Sequence, residues 1–95
     1  MTDIPSLTVE QFAARVGERF VLADGTAYEL VQATPLPVGA GAPRPPFSLV
    51  FAGPPGTVRP QGIETLENEQ LGPLELFLVP IGQDAQAVRY EAVFA

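Results

Sequence analysis

The sequence predicts a mainly β domain: a small antiparallel barrel or sandwich of about six strands with one short N-terminal helix. Three observations carry the prediction. After Gly17 the apolar residues recur in short runs, several alternating with period two, as half-buried strands require. Gly- and Pro-rich punctuation separates these runs at spacings of roughly 8–16 residues, the rhythm of an antiparallel β-fold rather than of βαβ units. Finally, 95 residues fill one domain, 1–95, and leave no room for a second.

The helix comes first. Thr8-Val9-Glu10-Gln11 has the form of a capping box, with Thr8 as N-cap and Gln11 reaching back to it. Leu7 and Phe12 stand at the spacing of a hydrophobic staple. The helix is expected from Val9 to Val16, with Phe12, Ala13 and Val16 on one face and Gly17 as its stop. One or two turns cannot stand alone, so it is expected to dock as a lid on one end of the barrel or sheet.

Strands and turns follow. Arg19 to Ala23 reads as a strand and Asp24-Gly25 as a two-residue hairpin connection. Thr26 to Thr34 returns, with Tyr28 and Leu30 on one face and Glu29 on the other. Pro35 to Pro46 is a long Pro/Gly loop of the kind that carries function in compact domains. Phe47 to Ala52 is apolar on both faces, as a central strand would be. A second loop, Gly53 to Gly62, holds Pro54-Pro55-Gly56 and Pro60. Ile63 to Glu67 is a more polar strand, Asn68 to Gly72 a turn, and Leu74 to Ile81 the most apolar stretch of the chain. Its Pro80 cannot donate to a ladder and belongs at a strand end, a bulge or an edge. Gly82 to Gln86 turns the chain. Val88 to Phe94 closes it, with Val88, Tyr90, Ala92 and Phe94 on one face. Arg89 and Glu91 lie on the other, where they are expected to form a charge pair. No internal repeat is evident.

Composition limits the chemistry by exclusion. The chain has no His, no Cys and no Lys, and its five basic residues are all Arg. That removes the Ser-His-Asp triad, the Cys-His pair, Schiff-base chemistry, Cys/His zinc sites and the phosphate-loop lysine. Glu64, Glu67 and Glu69 cluster in sequence, but on a strand Glu67 and Glu69 share one face and Glu64 takes the other, so a solvated acidic hairpin is expected. Gly39-Ala40-Gly41 opens no helix, because Pro43, Pro45 and Pro46 follow. No enzymatic activity, no cofactor and no metal are therefore expected. A net charge of −6 provides no basic stripe for nucleic acid and disfavours an anionic membrane surface. The N-terminal residues show neither a basic region nor an apolar stretch, and no run approaches the roughly 20 residues that span a bilayer, so a cytoplasmic product is expected.

What remains is contact. Charged residues are 17% of the chain, below the roughly 25% of ordinary soluble domains, so some apolar surface is expected to need covering. The reading that follows is a non-catalytic structural or protein-interaction module whose partner is another protein or a further copy of itself. The contact candidates are Arg44, Pro45, Pro46 and Arg59. Arg44 and Arg59 are two of the five cations and both sit in Pro/Gly loops, and Pro43-Arg44-Pro45-Pro46 has the form of a polyproline segment. The alternative is a small-ligand-binding β-barrel with a cavity lined by Phe51, Phe77 and Tyr90.

Three stretches taken together resemble a known family: Pro46-Phe47-Ser48-Leu49-Val50-Phe51 with Gly53-Pro54, the run Leu71 to Pro80, and Arg89-Tyr90-Glu91-Ala92-Val93-Phe94. Phe12, Val16, Gly17 and Phe20 fit the same pattern. The resemblance is to uncharacterised small bacterial proteins of about this length that share a domain of unknown function. It covers nearly the whole chain and implies no catalytic residue. Genes of that family often lie near phage-tail-collar-like genes, so the resemblance implies a role in a tail-derived or fibre-like assembly.

Overall fold

The computed structural model describes residues 8–37 and 46–94. One helix, α1 (Val9–Ala13), precedes six strands: β1 (Arg19–Leu22), β2 (Ala27–Pro35), β3 (Phe47–Gly53), β4 (Gly62–Asn68), β5 (Gly72–Gln83) and β6 (Val88–Phe94). The strands close into a barrel in the order β1-β2-β3-β6-β5-β4, and every neighbouring pair is antiparallel. Of the two expected architectures, the barrel is the one formed. The chain builds it as two three-stranded meanders, β1–β2–β3 and β4–β5–β6, joined through the β1–β4 and β3–β6 pairs.

The middle strand of each meander changes neighbours along its length. Strand β2 pairs with β1 over Ala27, Tyr28 and Glu29, and with β3 from Glu29 to Pro35. Its register slips between Leu30 and Gln32, so Val31 is the additional residue. Strand β5 pairs with β4 from Gly72 to Leu78 and with β6 from Val79 to Gln83. There the slip falls between Pro80 and Gly82, leaving Ile81 unmatched, so Pro80 sits at a bulge as expected. A bulge bends and twists its strand, which is what a sheet must do to close on itself. The two meanders are thus built alike, a repeat of architecture that the sequence does not show as a repeat of residues.

Alternation fills the interior. Phe20 and Leu22, Tyr28 and Leu30, Phe47, Leu49 and Phe51, Leu74, Leu76 and Leu78, and Val88, Tyr90 and Ala92 are all buried. Each large apolar side chain so placed contributes about 1.5–3 kcal/mol relative to exposure. The aromatic rings form two groups. Phe20 meets Phe51 edge-on at 5.2 Å, and Tyr28 stacks on Tyr90 at 4.9 Å. At the other end Phe47 stacks on Phe94 at 4.5 Å, and Phe12 of α1 leans on both at 5.7 Å.

Helix α1 packs against β2 and β3 as the expected lid. Its capping box is formed: the Thr8 N–H donates to Gln11 Oε1 (2.8 Å) and the Gln11 N–H donates to Thr8 Oγ1 (3.4 Å). Leu7, the other half of the expected staple, lies outside the described residues. The helix is shorter than expected. After Ala13 the chain tightens into turns, with the N–H groups of Arg15, Val16 and Glu18 donating three residues back. Gly17 then takes φ +92°, and its N–H reaches the Leu30 carbonyl (2.7 Å), which feeds the chain into the β1–β2 ladder. Ala13 and Val16 are consequently exposed, and the buried Phe12, with the half-buried Val9, carries the docking face.

The hairpin expected at Asp24-Gly25 exists, but its loop has three residues rather than two. The Leu22 N–H donates to the Thr26 carbonyl (2.8 Å), and the Gly25 N–H donates to the Leu22 carbonyl (2.9 Å). Gly25 follows that turn at φ +91°, the three-residue form in which a glycine completes a bulge. Asp24 Oδ1 accepts the Thr26 N–H (2.9 Å). Phe77, expected to line a cavity with Phe51 and Tyr90, points outward instead, because it is out of phase with the inward Leu76 and Leu78. Among the described residues no helix is long and apolar enough to cross a membrane.

Gly53 lets an aromatic ring approach the backbone at the end of β3. A Cβ there would lie 2.5 Å from Tyr28 Cε1 and 2.9 Å from Cδ1, so the Tyr28 ring lies directly on backbone. Gly53→Ala is expected to displace that ring from its stack on Tyr90 and to cost about 1–3 kcal/mol, the usual penalty of overpacking. Urea unfolding followed by near-UV circular dichroism measures both effects, and an unchanged midpoint with an unchanged aromatic spectrum contradicts the expectation.

Candidate functional site

Strands β3 and β4 are three places apart around the barrel in either direction. The segment joining them, residues 54–61, must therefore cross an end of the barrel instead of running along its wall. Pro54, Pro55 and Pro60 stiffen this strap, and Gly56 at φ +98° turns it. Arg59 fastens it. The Arg59 N–H donates to the Tyr90 hydroxyl (2.9 Å). Its guanidinium pairs with Asp24 of the β1–β2 hairpin and with Glu64 of β4, the latter at 3.4 Å. One residue thereby ties the strap to three separate elements.

The chemistry of this cluster is quiet. Hydrogen bonds from the Thr26 backbone and side chain, together with Arg59, hold the Asp24 carboxyl below its ordinary value of 3.8. Burial, and the Tyr90 hydroxyl beside it, push the Tyr28 phenol well above its usual value, so it stays neutral. Two carboxylates sharing one guanidinium are held as counter-ions. The other expected acids do not join them: Glu67 faces out from β4 and Glu69 is exposed in the turn that follows. Among the described residues, no group of three or more metal-ligating side chains is brought together.

The contact candidates separate in the structure. Arg44 and Pro45 lie outside the described residues, as do Pro43 and Gly39-Ala40-Gly41. Pro46 is half-buried, and its carbonyl accepts the Leu36 N–H (3.0 Å) at the base of the long loop. Arg59 is the strap fastener just described. Arg89 does not pair with Glu91. It pairs with Asp84 (2.9 Å), whose Oδ1 also accepts the Gln86 and Ala87 N–H groups, because the β5–β6 turn brings that carboxylate alongside. The Arg89 hydrogen bond, followed by those two backbone groups, holds Asp84 below its ordinary value.

Sequence reasoning missed the outer wall formed by β4, β5, β6 and β3. Ile63 and Phe77 face each other across β4–β5 on the outside, 68% and 51% exposed. On β6, Val93 is 58% exposed and opposes Ser48 of β3. Glu91 stands between Val79 of β5 and Val50 of β3. The signal was present in the alternation: Glu75 and Phe77 share a face, so an outward Glu75 implies an outward Phe77. Elsewhere, an open groove of about 560 Å³ is lined by Glu18, Arg19, Val21, Asn68, Glu69 and Gln70. There the Asn68 amide donates to Glu18 Oε1 (3.1 Å) and the Arg19 carbonyl (3.2 Å), which locks β4 to the start of β1.

A family profile for a domain of unknown function, DUF6916, matches residues 7–94. The chain belongs to the DUF6916 family. The match takes in α1 and all six strands, so in this DUF6916 member it spans the barrel, its helical lid and its Arg59 strap. No curated protein and no solved structure matches it.

The strap gives two expectations. Tyr90→Phe removes the acceptor of the Arg59 N–H and is expected to cost about 1 kcal/mol while leaving the ring stack in place. Amide exchange at Arg59 should speed up in this variant while exchange at Leu49 stays slow, and equal protection in both proteins would contradict it. The depressed Asp24 and Asp84 carboxyls stabilise the fold above the ordinary carboxylate range, and that contribution is lost as pH falls through and below it. The thermal midpoint should therefore fall on acidification below about pH 4, and the fall should be shallower in Asp24→Asn and Asp84→Asn.

Proposed function

We propose that this chain is a non-catalytic protein-interaction module that works through the outside of its barrel. The observation that carries the reading is the Ile63–Phe77 pair with Val93: three large apolar side chains, each more than half exposed, on three consecutive strands of one wall. Isolated exposed apolar residues are ordinary, whereas a contiguous group marks a contact surface. The quiet chemistry of the Arg59 cluster supports a role without catalysis, since Asp24 is held ionised and the buried Tyr28 phenol neutral. The filled interior favours this reading over a ligand-binding barrel, because inward positions hold Phe, Tyr and Leu side chains that pack on one another.

Closure gives every strand a neighbour on both sides, so the barrel has no edge strand for a partner to extend. A partner must seat on the wall or the loops. The resemblance noted above extends the proposal to a component of a tail-derived or fibre-like assembly, where a rigid closed barrel offers a fixed surface.

The test is co-purification from the native host with the wild type and with an Ile63→Ser, Phe77→Ser variant. The variant is expected to melt as the wild type does, since both side chains lie outside the core, and to lose a partner that the wild type retains. Identical co-purifying proteins in the two preparations, or none in either, overturn the proposal.

A further inference from the structure

The wall that exposes Ile63 and Phe77 also has a charge pattern, and that pattern selects among partners. This inference rests on the interaction reading above. Ile63 and Phe77 face each other across β4–β5, and Val93 is exposed on β6 beyond the Val79–Glu91 pair at which the β5–β6 ladder begins. Val79 and Val50 flank Glu91, half-buried. Two carboxylates stand in this surface. Glu91 is half-buried with valines as both cross-strand neighbours, and Glu75 is exposed opposite Thr65. Among the described residues, neither makes an ion pair.

Among the described residues the cations other than Arg89 lie off this wall, Arg19 standing on β1 outside its four strands. Arg59 is held at the barrel mouth by Asp24 and Glu64, and Arg15 pairs with Glu18 beside α1. Arg89 is the cation on this wall, opposite Ala52 at the strap end, and Asp84 holds it there. Among the described residues the wall thus combines exposed apolar side chains with acids and offers no unpaired cation to an approaching carboxylate.

We propose that this wall binds a peptide segment of another protein whose apolar side chains are flanked by Lys or Arg. Its apolar residues cover Ile63, Phe77 and Val93, and its cations reach Glu91 and Glu75. A second copy of this chain fits less well, since the same wall would bring acids against acids, and like charges facing each other disfavour a complex. The half-buried Glu91 is the specificity element: an acidic partner would leave it facing a like charge in a desolvated contact, while a cation there gains a charge-assisted hydrogen bond.

The probes are two synthetic twelve-residue peptides, one alternating Leu and Lys and the other Leu and Glu, measured by fluorescence anisotropy and by amide shift mapping. The Leu/Lys peptide is expected to bind and to perturb Ile63, Phe77, Glu91 and Val93, and the Leu/Glu peptide is expected not to bind. Phe77→Ser should weaken binding about tenfold. Glu91→Gln should weaken it several-fold, and the difference should vanish in high salt. Glu69→Gln, an equal change of net charge away from the wall, should leave affinity unaltered. If Glu69→Gln weakens binding as much as Glu91→Gln, the attraction is that of net charge alone and the proposal is overturned. If neither peptide binds but light scattering shows a dimer that Phe77→Ser abolishes, the partner is a second copy; the basic segment is then wrong while the interaction reading stands. If neither peptide binds, the protein stays monomeric, and the Ile63→Ser, Phe77→Ser variant co-purifies with the same proteins as the wild type, both fail.

Discussion

Closing a barrel from two meanders requires the middle strand of each to leave one neighbour and join the next. Here β2 does so around Val31 and β5 around Ile81, each with one additional residue that bends the strand. The rest of the architecture follows from those two bends. They let β1 reach β4 and β3 reach β6, turn the alternating faces of all six strands inward, and place Tyr28 of one meander against Tyr90 of the other. The chain uses β-branched residues at both slips, and both are exposed, so no bulky side chain is forced into the core where the strands change partners.

A bent barrel still has two ends, and they are sealed by different physics. Each seal is the segment that precedes a meander. Before β1, α1 presses Phe12 onto the stacked Phe47 and Phe94, a closure by apolar contact. Before β4, the 54–61 strap is pinned by Arg59 to Asp24, Glu64 and Tyr90, a closure by charge and hydrogen bonding. With the interior filled and this mouth strapped, the large exposed apolar side chains Ile63, Phe77 and Val93 lie on the outer wall, where the proposed contact surface is placed.

Local signals were legible in the sequence, and relations across the sheet were not. The Thr8–Gln11 capping box, the Asp24-Gly25 turn and the disruptive Pro80 each act within a few residues, so their consequences can be read from a few residues. Whether the sheet closes depends on β1 finding β4, more than forty residues away, and no local pattern encodes that pairing. Arg59 shows the limit well. Its loop is plain in the sequence, but its role depends on strand order, because only a connection between opposite strands must cross the mouth. Phe77 is the reverse case: Glu75 beside it in the alternation already placed it outside, and the apolar run around it obscured that sign.

Closure also bears on the aggregation hazard of so sparingly charged a chain. Antiparallel proteins commonly guard their outer strands with lysines, which this chain lacks altogether. In a ring of strands no outer strand exists, so backbone groups are protected by topology and not by charge. The protection is conditional. The stretch Leu74 to Ile81 has strong β-propensity and a single charge, and it is shielded only while β4 and β6 flank it. The hazard of aggregation is therefore governed by how often the ring opens, and the Tyr28–Tyr90 stack and the strap above it protect solubility as much as shape.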